Sequence, residues 1–286
     1  MNAAASLILI FAATMQAKDD SESQQSARVK HERVLEIYTK DAAEFTIYRD
    51  ASHKEKVELR REPVFVGSDP VRGGGDCAVF VWTCRGRAEV IGTIFSFPTI
   101  GPRQLYHEFH SLSLSVLDVS RSGTHASTWT PMAAGIELEA FKGAARPAPS
   151  APQRLSQMRA LARDFSASTK DLADKLLQLR LLPQPIFRYE STDPEVLDGA
   201  LFAFVIATDP EALLVIEARK SAPAGDPVWD YAICRLTDLE LRVRHKDKEV
   251  FTAPLIPYGS SQQDPKHRFR VYHDRDIPAV YETKTP

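Results

Sequence analysis

Cysteine is scarce in this chain. Its three residues, Cys77, Cys84 and Cys234, are an odd set and do not make a disulfide framework. Cys77 and Cys84 stand seven apart and would point to opposite faces of one straight strand, so a bridge between them would need a bulge. No spacing matches a zinc ligand set, and buried apolar thiols are the expectation. An excess of one charge is also missing. The net charge is −2 over 286 residues, which excludes the basic footprint of a nucleic-acid binder. Beyond residue 17 no apolar run reaches the ~20 residues of a membrane-spanning helix. HExxH, GxSxG and the phosphate-loop GK[ST] are absent as well. Arg72-Gly73-Gly74-Gly75 lacks a helix to follow it and reads as a turn. No cofactor is implied.

What is present begins with an apolar segment, Ala3 to Met15, followed by Ala17 and a polar run. Residues 1–17 have the length of a signal peptide, although they carry no Lys or Arg. Residues 18–30 are polar and expected to be disordered. The chain is therefore expected to be exported, either periplasmic or secreted. The whole chain is 43% hydrophobic and 26% charged, which is ordinary globular composition with enough apolar mass for a sizeable core.

The dominant feature is an internal duplication. Asp198 to Arg219, DGALFAFVIATDPEALLVIEAR, reads as two buried strands joined at Asp209–Pro210. Asp76 to Phe95, DCAVFVWTCRGRAEVIGTIF, is a degraded copy of it. At an offset of 122, Pro63 meets Pro185, Phe65 meets Phe187, Asp76 meets Asp198, Ala78 meets Ala200 and Phe80 meets Phe202. The same ungapped offset brings Phe109 to Tyr231, Leu117 to Leu239 and Trp129 to Phe251. Upstream the offset becomes 120, with Leu59 on Leu179, which puts a two-residue insertion at Leu181 to Gln184. Two copies are too few for a solenoid and suit a pseudo-twofold fold.

Val34, Ile37, Tyr38 and Ala42 recur at helical spacing, as do Leu155, Met158, Leu161, Ala162 and Phe165. Helices are expected over 31–43 and 153–166, each followed by about six strands. Short connections favour antiparallel meanders. The class is α+β: a first half over 31–142, a Pro- and Ala-rich linker over 143–152, a second half over 153–256 and a polar tail over 257–286, in which Phe269, Val271 and Tyr272 could add an edge strand. A curled sheet, a barrel and a sandwich all fit the pattern. Trp82, Trp129 and Trp229 sit in apolar strand contexts and are read as core.

Reactive groups cluster once, at His107-Glu108-Phe109-His110-Ser111. On a strand His107, Phe109 and Ser111 share one face, and Glu108 and His110 share the other. Glu108 with His110 could form an acid–base pair. His107, Glu108, His110 and His125 are the candidate metal ligands. The ungapped alignment puts Asp230 at Glu108's place in the second copy and no histidine nearby, so the first half is the expected host of any site.

HEFHSLS, RLSQMRALARDFSA, LLPQPIFRYE and the Asp198–Arg219 stretch resemble a family of uncharacterised exported proteins of planctomycete-type bacteria, over most of residues 55–255. The resemblance implies export and kinship, and it carries no activity, cofactor or site residue. Two readings follow. One is a non-catalytic module that binds a small apolar ligand or a protein partner. The other is a metal-dependent or acid–base hydrolase using the HEFH strand.

Overall fold

The computed structural model describes residues 31–69, 75–97, 99–123, 129–220, 225–257 and 264–278. The expected signal peptide and disordered segment, together with His125 and Arg72 to Gly74, lie outside these residues. Val34, Tyr38 and Ala42 follow one another at four-residue intervals, and residues 31–43 are helical (α1) with all three buried. The second helix, α2 (Ala151–Ala162), begins and ends earlier than its apolar stripe suggests. Ser150 takes the N-cap position with proline in the first turn, where its missing N–H costs nothing. Phe165, read as the end of the helix, instead opens a strand.

In the first sheet lie β1 (Phe45–Tyr48), β2 (Lys56–Leu59), β3 (Phe65–Asp69), β4 (Gly75–Cys84), β5 (Arg87–Phe97), β6 (Arg103–Ser111) and β7 (Asp118–Arg121). The short β8 (Glu139–Ala140) precedes α2. After α2 come β9 (Phe165–Lys170), β10 (Leu176–Leu181), β11 (Phe187–Tyr189), β12 (Val196–Ile206), β13 (Asp209–Lys220), β14 (Pro227–Arg235), β15 (Glu240–His245) and β16 (Lys248–Ala253). The last strand is β17 (Phe269–Ile277).

The first sheet runs β17-β6-β5-β4-β2-β1-β7, with β3 also on β4. The second runs β8-β14-β13-β12-β10-β9-β15-β16, with β11 also on β12. The two orders correspond strand for strand until β16, which extends the second sheet. Both sheets curl, every pairing is antiparallel, and the fold is α+β in two like halves. The edge strands are exchanged. β8, from the first half, pairs with β14, and β17, from beyond the second half, pairs with β6.

Pairing registers carry the duplication to single residues. A β-bulge puts the extra residue Glu89 of β5 opposite the Trp82–Thr83 step of β4, and another puts Glu211 of β13 opposite the Phe204–Val205 step of β12, at the same offset. The turns after them have positive φ at Arg85 and at Ala207. The second turn is therefore Ala207–Thr208. Asp209–Pro210 lies inside β13, and Pro210 is tolerated because it stands opposite Val205 at the bulge. The insertions also fall elsewhere than the alignment puts them. Leu59 pairs with Trp82 as Leu181 pairs with Phe204, so the offset of 122 persists through β2, and the β9–β10 hairpin holds the upstream difference. A second two-residue difference lies between β5 and β6, because Gly92 pairs with Phe109 while its counterpart Leu214 pairs with Ile233.

The central strands are long apolar runs because both of their faces are covered. Ala78, Phe80 and Trp82 pack with Val34 and Tyr38 of α1. Ala200, Phe202 and Phe204 pack with Met158 and Ala162 of α2. The alternate residues, Val79 and Val81 with Leu201, Ala203, Leu213 and Val215, form a third core where the two sheets meet. The layers are thus helix, sheet, sheet, helix. Each hairpin turn docks on the other half, as when Thr192 N–H donates to Arg85 O at 2.9 Å. A Cβ at Gly86 would collide with Glu190 O, and one at Gly67 with Thr208 O, so this reciprocal approach requires glycine at both places.

The Asp76–Asp198 identity has a structural role. Buried Asp198 accepts from Arg154 Nε of α2 at 2.7 Å and from Arg188 Nη2 at 2.7 Å, which anchors the helix to its sheet. Asp76 accepts from Arg103 Nη2 at 3.1 Å, and its carbonyl accepts from Tyr38 of α1.

One end of the seam between the sheets is closed by charge. Buried Arg87 donates through Nε to Glu217 Oε1 at 2.8 Å, through Nη1 to Leu112 O at 3.0 Å, and lies 3.3 Å from Glu89. Tyr189 donates to the same Glu217 oxygen at 2.6 Å. Arg87→Met would leave Glu217 and Glu89 buried without this cation, and is expected to lower urea-unfolding stability by about 3–5 kcal/mol. Tyr189→Phe should cost about 1–2 kcal/mol. A loss below about 1 kcal/mol for Arg87→Met would show that the seam does not depend on the pair.

Candidate functional site

The HEFHS residues lie on β6, and alternation divides them. His107 and Phe109 face the core that holds α1. Phe109 stacks on Trp129 at 5.4 Å between ring centroids. His107 is fully buried, with Nε2 3.0 Å from Asp41 Oδ2 and Nδ1 3.2 Å from the Tyr272 hydroxyl. Glu108 and His110 share the opposite face but border different cavities. Glu108 lines a cavity of about 250 Å³. His110 lines another of about 400 Å³ with Arg235, Phe251 and Phe269, and its Nδ1–H donates to Ser111 O at 2.8 Å.

Among the described residues, one group of three could gather ligand atoms within 4.8 Å: Asp41, His107 and Asp274. Its oxygens are already engaged by arginine. Arg275 donates to Asp41 Oδ1 at 2.6 Å and to Oδ2 at 2.8 Å. Arg121 donates to Asp274 at 2.5 Å and 3.2 Å. Burial works to raise the Asp274 carboxyl, but hydrogen bonds from Arg121 and the charges around it outweigh that and hold it at about 2. Burial, with the Arg121 charge adding to it, lowers His107 from its ordinary value against the opposing pull of Asp41 and Asp274. Two carboxylates matched by two guanidinium groups make a structural network that ties α1, β6, β7 and β17 together.

The 250 Å³ cavity lies between the two halves. Phe95, Phe97 and Tyr106 form one wall, with Phe95 stacked on Tyr106 at 5.3 Å. Glu108 of the first half and Asp209, Glu211 and Asp238 of the second line it with carboxyl groups. Burial raises the Glu108 carboxyl well above its ordinary range, and the neighbouring charges of Asp209, Glu211 and Asp238 push the same way. Such a concave, mixed apolar and polar hollow is the usual form of a small-ligand site.

This cavity is the counterpart of the closed end of the seam. At the offset of 122, Asp209 stands where Arg87 stands, Glu211 where Glu89 does, Phe95 where Glu217 does and Gly67 where Tyr189 does. Register also corrects the partner of Glu108. Glu108 pairs with Thr93, and Ala232 pairs with Val215, Thr93's counterpart. The second copy therefore has alanine at Glu108's place, cysteine (Cys234) at that of His110 and tyrosine (Tyr231) at that of His107. Sequence reasoning did not single out Thr93, Phe95, Asp209 or Glu211. The signal was available in the exchange of Arg87 for Asp209 within otherwise similar strands. All three cysteines are free and buried.

No family model, curated protein or solved structure matches this chain.

Burial lowers His110 from its ordinary 6.5 to about 4, with Arg268 and Arg235 adding to the effect. As pH falls, the unfolded chain therefore takes up the proton first. The stabilisation is complete above pH 6.5 and is lost between about pH 6.5 and 4, to an extent of about 3 kcal/mol. The difference in urea-unfolding stability between the wild type and His110→Gln, measured from pH 8 to 4, should be flat above pH 6.5 and fall below it, since the contributions of His107 and of the raised Glu108 carboxyl cancel in that difference. A difference that does not change with pH would contradict the assignment.

Proposed function

We propose that this chain is an exported, non-catalytic binding module whose ligand seat is the cavity beside Glu108. The observation that carries this reading is the inequality of two equivalent places. One end of the inter-sheet seam is filled by Arg87, Glu217 and Tyr189, while the matching end is a cavity of about 250 Å³ with an aromatic wall. The wall of Phe95, Phe97 and Tyr106 suits the apolar part of a small ligand. A hydrolase would need Glu108 and His110 to act on one bound molecule, and their separate cavities favour binding instead. Export rests on the apolar run of residues 3–15, and kinship with the planctomycete family is part of the same proposal.

Val271 lines the cavity and pairs directly across from Glu108, so Val271→Trp would fill the space from the edge strand. Ligand-observed NMR against a chemically diverse fragment set should give saturable binders of the wild-type protein that Val271→Trp no longer binds, at an unchanged melting temperature. Finding no binder, or binders indifferent to the tryptophan, would remove the proposal. Expressed with its leader in a bacterial host, the protein should be recovered outside the cytoplasm with an intact mass lacking residues 1–17.

A further inference from the structure

Resting on that reading, we propose that the inter-half cavity takes a neutral ligand with an amide-type head, a C=O beside an N–H, and an apolar body. Two polar side chains from neighbouring strands carry this inference. Thr93 of β5 and Glu108 of β6 stand directly opposite each other in the ladder, and both line the cavity. Thr93 is 2% exposed and Glu108 is 6% exposed. Thr93 Oγ1 has no hydrogen-bond partner. Glu108 feels burial and the charges of Asp209, Glu211, Asp238 and Arg235, and among the described residues no hydrogen bond engages its carboxyl. Buried groups of this kind are ordinarily satisfied.

The fold itself does not require the pair. At the corresponding place in the second half Val215 pairs with Ala232, and both belong to the core where the sheets meet. Backbone and packing therefore accept two apolar residues there, and the polar pair occurs only where the seam is hollow. Its chemistry defines what would satisfy it. A threonine hydroxyl both donates and accepts. The Glu108 carboxyl, held well above its ordinary range, does the same as a neutral acid. An amide answers both, because its carbonyl accepts from one O–H while its N–H donates to the oxygen of the other group. A guanidinium has donors and no acceptor, a carboxylate has acceptors and no donor, and either would carry a net charge out of water. Phe95, stacked on Tyr106 at 5.3 Å, gives the apolar body an aromatic wall.

The test is calorimetric titration of the full chain with benzamide, its ketone analogue acetophenone, the cation benzamidine, the anion benzoate and toluene. Benzamide should bind most tightly, and each of the other four about tenfold more weakly or worse. Thr93→Val, which copies the second half, and Glu108→Met should each weaken benzamide about tenfold. Their melting temperatures should be unchanged or higher, because each removes a buried polar group that has no hydrogen bond. Glu108→Gln, which keeps a donor and an acceptor, should bind benzamide more tightly than Glu108→Met does. If any of the other four compounds binds as tightly as benzamide and Val271→Trp abolishes that binding, the amide assignment falls and the binding reading stands. The same holds if benzamide binding is lost in Val271→Trp and is indifferent to both Thr93→Val and Glu108→Met. If no compound binds, both fall.

Discussion

Arg87 brings a full positive charge into an apolar seam, and the way that charge is held shapes the rest of the molecule. A guanidinium removed from water needs carboxylates and carbonyls for its donors, and Nε and Nη1 of Arg87 have them while Nη2 has no partner. Here Glu217 comes from the opposite sheet, so the electrostatic requirement of one half is met by the other. Tyr189, also from the second half, completes the arrangement. The seam is thereby fixed in register at one end, and the apolar residues between the sheets fill its middle.

The same seam explains why a pseudo-symmetric fold can carry an unsymmetric site. Strand order, bulge position and turn conformation agree between the halves, so the backbone places equivalent positions in equivalent surroundings. Where side chains diverge, only the filling changes. Replacing Tyr189 by Gly67, and Arg87 by Asp209, converts a packed ionic plug into a hollow with carboxyl groups on its wall. The exchange of β8 and β17 also matters, because β17 supplies Val271 to the cavity rim and Asp274 and Arg275 to the network around His107.

Much of this was legible in the residues. The two long strands of each half are apolar without alternation, which signals burial on both faces, and the offset between the copies survives as paired registers. The α1 stripe and the core positions of the three tryptophans follow from periodicity and context. The extent of α2 did not, because Pro152 looks like linker chemistry yet serves in a first turn, and because Arg154, which belongs to a polar face by type, is buried against Asp198. Glu108 and His110 looked like one site because strand alternation puts them on one face. Sharing a face does not mean sharing a cavity, since the space on that face is divided by whatever packs against it.

The residues alone determine that the chain is α+β, that it is doubled, and that its central strands are covered on both sides, since these properties are written in local periodicity and in similarity at a fixed offset. The tertiary structure alone decides which surfaces of the two copies meet, which edge strand each half lends to the other, and that Asp209 and Glu211 approach Glu108. Contacts between residues about a hundred positions apart depend on how two sheets stack, and no spacing along a single strand encodes that.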